Sequence, residues 1–136
     1  MSKTIKPDEL QEAIMKALTE YEENIEKDVK DTTDTLTKEA VSELKQTSPR
    51  RKGTRKNPYY KGWSRQKGKE NKGKYTVKIH NKTNYQLTHL LEFGHATKNG
   101  RRTNAIPHIR PIEEKYNKLY EERITTVIKR RSKKWH

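Results

Sequence analysis

The apolar residues of this chain fall into blocks with different periods, and the first block is the longest. Leu10, Ile14, Leu18, Tyr21, Ile25, Val29, Leu36, Ala40 and Leu44 form rows spaced by eleven, such as Ile14, Ile25 and Leu36. Eleven residues over three turns is about 3.67 per turn, which keeps a narrow stripe on one face of a nearly straight helix. Pro7 suits the first helical position, Asp8, Glu9 and Glu12 suit the positive end of the dipole, and Ser48-Pro49 ends the run. A helix from Pro7 to about Gln46 would be roughly 60 Å long. So small a protein cannot cover such a stripe, and part of it is expected to pack on another subunit. Asp31 to Thr35, DTTDT, prefers caps and turns and is the expected place for a break or bend.

The next block changes period. From Tyr75 to His80 apolar and polar residues alternate, which predicts a half-buried strand, and Asn81 to Asn84 supplies a turn. Tyr85, Leu87, Leu90, Leu91 and Phe93 then follow helical spacing up to Gly94, a residue suited to a left-handed helix terminus. The basic loop 95–104 contains the hairpin-type pair Asn99-Gly100. Ala105 to Arg110 is expected as a short strand that Pro111 ends while opening a final helix. That helix carries Ile112, Tyr116, Leu119, Tyr120, Ile124, Val127 and Ile128 at intervals of mostly three and four. Together these elements predict an α+β fold: a long N-terminal helix, a small antiparallel β-sheet with an extended basic loop, a short central helix and a C-terminal helix. The expected divisions are 1–47 for the amphipathic helix, 48–73 for a basic flexible arm or hairpin, 74–130 for the body, and 131–136 for a basic tail, all within a single domain.

Charge sharpens this outline. The net charge is +14 over 136 residues, with 28% hydrophobic and 37% charged residues. It is divided unevenly: residues 1–47 sum to −5, 48–82 to +12 and 83–136 to +7. An acidic rod followed by a basic body suits head-to-tail contact between subunits, or an acidic partner such as DNA. The chain has no cysteine, which excludes disulfides and thiolate metal sites and fits assembly in a reducing cytoplasm. No apolar run approaches 18 residues and no signal peptide is visible, so no membrane association is expected.

Catalytic chemistry finds little to work with. His89, Glu92 and His95 are spaced H-x-x-E-x-x-H, but histidines at i and i+6 do not share a helical face and Gly94 intervenes. His80-Asn81 with His108 resembles a histidine-asparagine nuclease only faintly, because the last helix offers no metal-binding histidine. Ser48 and Ser64 have no base and carboxylate in view. Neither a metal, a cofactor nor an enzymatic activity is expected. Nucleic-acid binding is the stronger rival: cations interleave with Tyr59, Tyr60 and Trp63, and Arg50, Arg51, Lys52, Arg55, Lys56, Lys67 and Lys69 are the candidate contacts to DNA or to a partner. A non-specific DNA-binding accessory protein is therefore the alternative reading.

The order of motifs carries more than any one of them. SPRRKG, then YYKGWS, then a strand and a Tyr85-containing turn, then LTHLLEFGHATKNGRR and AIPHIRP, resembles the phage neck and head-tail joining family typified by the tenth gene product of coliphage HK ninety-seven. The resemblance spans Thr47 to about Glu122. It implies a structural virion protein of a tailed bacteriophage, assembled in the host cytoplasm and set at the head-tail junction. Its partners would be copies of itself in a hexameric or dodecameric ring, other neck and tail proteins, and genomic DNA in non-specific contact. Trp63, Leu90, Leu91, Glu92, Phe93 and Gly94, with Pro107, His108 and Pro111, are then expected as the fold clip or interface. Glu92 would cap or salt-bridge there, and the arm and long helix would bridge neighbours.

Overall fold

The computed structural model describes residues 7–50, 56–69 and 74–134. Helix α1, Pro7–Thr47, runs unbroken for 41 residues, about 62 Å at 1.5 Å per residue. The break expected at Asp31 to Thr35 does not occur, since the helix is continuous there. The Thr33 and Thr37 hydroxyls donate back to the carbonyls of Val29 and Thr33, and Asp34 is held from outside the helix by Arg65 and Tyr75. Residues that prefer turns in isolation are thus satisfied within the helical backbone.

After α1 a 3₁₀ turn, Tyr59–Gly62, leads directly into strand β1, Trp63–Lys67. Strand β2, Val77–Asn81, pairs with it antiparallel, Trp63 opposite Asn81 and Lys67 opposite Val77. Helix α2, Tyr85–Phe93, and helix α3, Ile109–Lys134, complete the α+β fold. The expected strand at 105–110 is absent: the backbone there is irregular, tied by the Ile106 amide to the Leu91 carbonyl at 2.8 Å, and α3 begins at Ile109, two residues before Pro111.

The segment expected as a basic flexible arm or hairpin contributes β1, one strand of an antiparallel pair. Tyr59 and Trp63 are buried, and they form one core cluster with Ala40, Leu44 and Ile112. Val41, Ile79, Leu91, Ile109 and Tyr116 pack around it. Residues 59–67 are therefore part of the body, because two large aromatic side chains among otherwise polar neighbours suffice to anchor them.

Helices α1 and α3 lie antiparallel. Asp28 meets Arg131, Glu39 meets Arg123, and Glu43 meets Lys115 and Tyr116, so part of the charge contrast between the chain's halves is satisfied within one molecule. Tyr21 reaches Ser132 near the end of α3. Residues 8–16 and 18–20 of α1, by contrast, are exposed throughout.

Candidate functional site

The 108–111 corner is built by a carboxylate from another helix. The first amides of an α-helix have no partner within it. The Glu92 side chain, projecting inward from α2, accepts from three of them: His108 at 2.8 Å, Ile109 at 2.9 Å and Arg110 at 3.1 Å. The next residue is Pro111, which has no amide hydrogen to satisfy. Burial raises the Glu92 pKa, but the Ile109, His108 and Arg110 amides outweigh it and hold the carboxyl below its ordinary value. An anion at this end of α3 also meets the positive end of the helix dipole.

His108 is buried beside Glu92 and completes the corner. Its Nδ1 faces two acceptors, the Ile106 carbonyl at 2.8 Å and Glu92 Oε1 at 3.1 Å, so that nitrogen carries a hydrogen. Its Nε2 lies 2.8 Å from the Tyr59 hydroxyl, whose pKa is pushed well above the usual value by burial and by the Glu92 charge. The rings of Tyr59, Trp63 and His108 meet edge to face at 5.6 to 6.3 Å. Trp63 Nε1 donates at 2.7 Å to Ser48 Oγ, which itself donates to the Leu44 carbonyl at the end of α1. A chain of hydrogen bonds and ring contacts thus runs from α2 through the start of α3 to the end of α1.

Three further positions frame the site. Asn81 is buried, donates to the Tyr59 carbonyl at 2.8 Å and accepts from the Asn84 amide at 2.9 Å, joining the 3₁₀ turn to the start of α2. Gly94 has φ +75°, and a Cβ there would lie 2.6 Å from the Thr103 carbonyl oxygen. Gly100 also has positive φ, closing a three-residue loop between Thr97 and Arg101. Since no non-glycine residue has positive φ among the described residues, this is not the type I′ turn that Asn99-Gly100 by itself favours.

The remaining expected site residues fall into three groups. Trp63, Glu92, Gly94 and His108 are buried, and Leu91 is partly buried against the core. Leu90, Phe93, Pro107 and Pro111 face outward, and the inner face of α2 is Thr88, Leu91 and Glu92. Of the cations, Arg50 stacks on the Tyr60 ring at 4.0 Å near the end of α1, with Lys56 exposed nearby in sequence, while Lys67 and Lys69 lie at and beyond the far end of β1. Arg51, Lys52 and Arg55 lie outside the described residues.

The candidate chemical residues among the described ones are engaged within the fold. Glu92 faces backbone amides, His95 pairs with Thr103, and His89 stacks on Phe93 with ring centroids 5.0 Å apart. Among the described residues no three His, Asp or Glu side chains converge as a metal cage, and no helix is long and apolar enough to cross a membrane. Exposed apolar side chains are abundant instead. Leu10, Ile14, Met15 and Leu18 stand open on α1, and Tyr85, Leu87, Leu90 and Phe93 on α2.

Buried clips beneath uncovered apolar faces are what the described residues present. The chain belongs to the HK97-gp10-like family, described as "Bacteriophage HK97-gp10, putative tail-component", whose pattern it matches over residues 12–94. Those residues run from the first helix through the end of α2 at Gly94, and α3 lies beyond them. No curated protein and no solved structure matches the chain.

Proposed function

We propose that this protein is a ring-forming component of the phage neck, joining the head to the tail or completing the tail around the DNA channel, and that it acts through protein-protein contacts without catalysis. The observation that carries this reading is the apolar stripe of α1. Its C-terminal half, Leu36, Ala40 and Leu44, is core, while its N-terminal half, Leu10, Ile14 and Leu18, is about half exposed. A stripe that continues past its own domain needs a neighbour, and membership of a phage tail-component family supplies the setting. Closed cyclic assembly is how identical subunits cover such surfaces without growing indefinitely. Arg50, Lys56, Lys67 and Lys69 would meet DNA, if at all, through phosphate contacts that carry no sequence preference.

The test is a phage with a nonsense mutation in this gene. Filled heads and unattached or unfinished tails should accumulate, and imaging of wild-type particles should place the protein as a ring at the junction. Infectious particles that lack the protein would overturn the proposal. The deletion that the sequence invites, residues 52–72, is a poor test because it removes Tyr59 and Trp63 from the core.

A further inference from the structure

Two uncovered apolar surfaces lie at opposite ends of this molecule, and their surroundings carry opposite charge. The first is the tip of α1. Leu10, Ile14 and Leu18 are 48 to 49% exposed on one face of the helix, with Glu22 at the edge of that face and Asp8, Glu9, Glu12, Glu20 and Glu23 around the rest of the same turns. Over residues 8–26 there are seven acidic residues against the single cation Lys16. An isolated helix of this length is marginal in water, so the tip gains from being packed.

The second surface is the outer face of α2. A helix that is apolar on all sides is normally buried on all sides. Here Leu91 and Glu92 turn inward, yet Phe93 and Tyr85 are 61% and 66% exposed and Leu90 is 38% exposed. A groove of about 340 Å³ opens beside Phe93, between α2 and the start of α3. The groove itself is lined by Glu92, Arg110 and Glu113, with Arg110 paired to Glu114, and the cations beside this end of α2 are Lys98, Arg101 and Arg102 in the following loop. Arg102 lies against the carbonyls of Phe93 and Gly94.

We infer that the α1 tip of one copy docks on the α2 face of the next. Like-with-like pairing is opposed at both surfaces, since it would set carboxylates against carboxylates or cations against cations. Docking within one chain is excluded by length. Glu92 ties α2 to the start of α3, and Ile112 of α3 packs in the cluster that holds Ala40 and Leu44. Leu18 lies 26 residues before Leu44 on an unbroken helix, about 39 Å away. The pairing is heterologous, and such contacts close into a ring when the rotation per subunit allows it. It deepens the ring proposed above by naming the two surfaces, and rests on that reading only for closure.

The cysteine-free chain makes the test direct. Full-length Leu18→Cys and Leu90→Cys proteins, each checked for wild-type circular dichroism, are mixed under mild oxidation and read by non-reducing gels and mass spectrometry. The mixture should give the Leu18-Leu90 disulfide dimer in clear excess over either protein alone and over a mixture in which Lys118→Cys replaces Leu90→Cys. Adding Glu9→Lys, Glu20→Lys and Glu22→Lys to the Leu18→Cys chain should cut the yield at least about fivefold, and Lys98→Glu with Arg101→Glu on the Leu90→Cys chain should restore it. A mixed yield no higher than the Lys118 control, or a predominance of Leu18-Leu18 dimers, overturns the pairing. Particle imaging separates the two proposals. A neck ring whose subunits meet through other surfaces removes this pairing alone, whereas absence of the protein from the junction removes the neck assignment and leaves the cross-link result standing.

Discussion

Glu92 lies at the centre of the molecule's polar interior, and its chemistry gives the protein a specific response to acid. Its carboxyl is held below its ordinary value of 4.5, burial raising it but the Ile109, His108 and Arg110 amides prevailing. Asp28, Asp34 and Glu43 are also lowered, chiefly by hydrogen bonds from Arg131, Tyr75 and Lys115 respectively. A carboxylate with a depressed folded-state pKa contributes stability that is present above its unfolded pKa and lost as pH falls through the folded value. Urea-unfolding midpoints should therefore change little with these groups from pH 7 to 5 and fall below about pH 4.5. Glu92→Gln should lose about 1–3 kcal/mol at pH 7, because an amide presents one acceptor and two donors to three backbone donors. The gap between variant and wild type should narrow as pH falls below 4.5 and Glu92 itself becomes protonated. A gap that stays constant across this range would show that the carboxylate's charge is not what holds the corner.

Element by element, periodic residues announced themselves and tertiary anchors did not. The rows of eleven gave α1, the alternation of Tyr75, Val77 and Ile79 gave β2, and Leu87 to Gly94 gave α2 with its glycine terminus. Strand β1 was hidden because Ser64, Arg65, Gln66 and Lys67 lack any apolar alternation; what holds the strand is Trp63 at one end and the Arg65-Asp34 ion pair, 31 positions apart in sequence. The cap on α3 was likewise only half legible. Glu92 could be suspected of capping, but its partners stand 16 to 18 residues away, across a loop whose course no local pattern specifies. Two glycines in that loop differ in a measurable way. Gly94→Ala meets both a positive φ and the Thr103 carbonyl at 2.6 Å, whereas Gly100→Ala meets positive φ with nothing within 4 Å. Thermal or urea unfolding should show Gly94→Ala costing about 2–4 kcal/mol and Gly100→Ala about 1 kcal/mol. Equal costs would mean that the loop shifts freely at Gly94.

For the molecule as a whole, the tip of α1 and the body should be separable. Residues 8–16 are exposed, so removing residues 1–16 should leave the melting temperature within about 2 °C of the full chain while far-UV circular dichroism loses the corresponding helix. The truncated protein should fail to complement the nonsense phage; full complementation would make the tip dispensable for assembly. The antiparallel seam between α1 and α3 has a consequence of another kind. Asp28 and Arg131, which pair across it, are 103 positions apart, and the core cluster unites Ala40 with Ile112. During synthesis α1 emerges first and then waits for nearly the whole of the remaining chain before its partner helix leaves the ribosome. Until residues 59–67 and then α3 emerge to cover Ala40 and Leu44, the stripe from Leu10 to Leu44 is bare. The emergence of α3 is thus the event that completes the division of one continuous stripe into a half that is buried and a half that stays exposed.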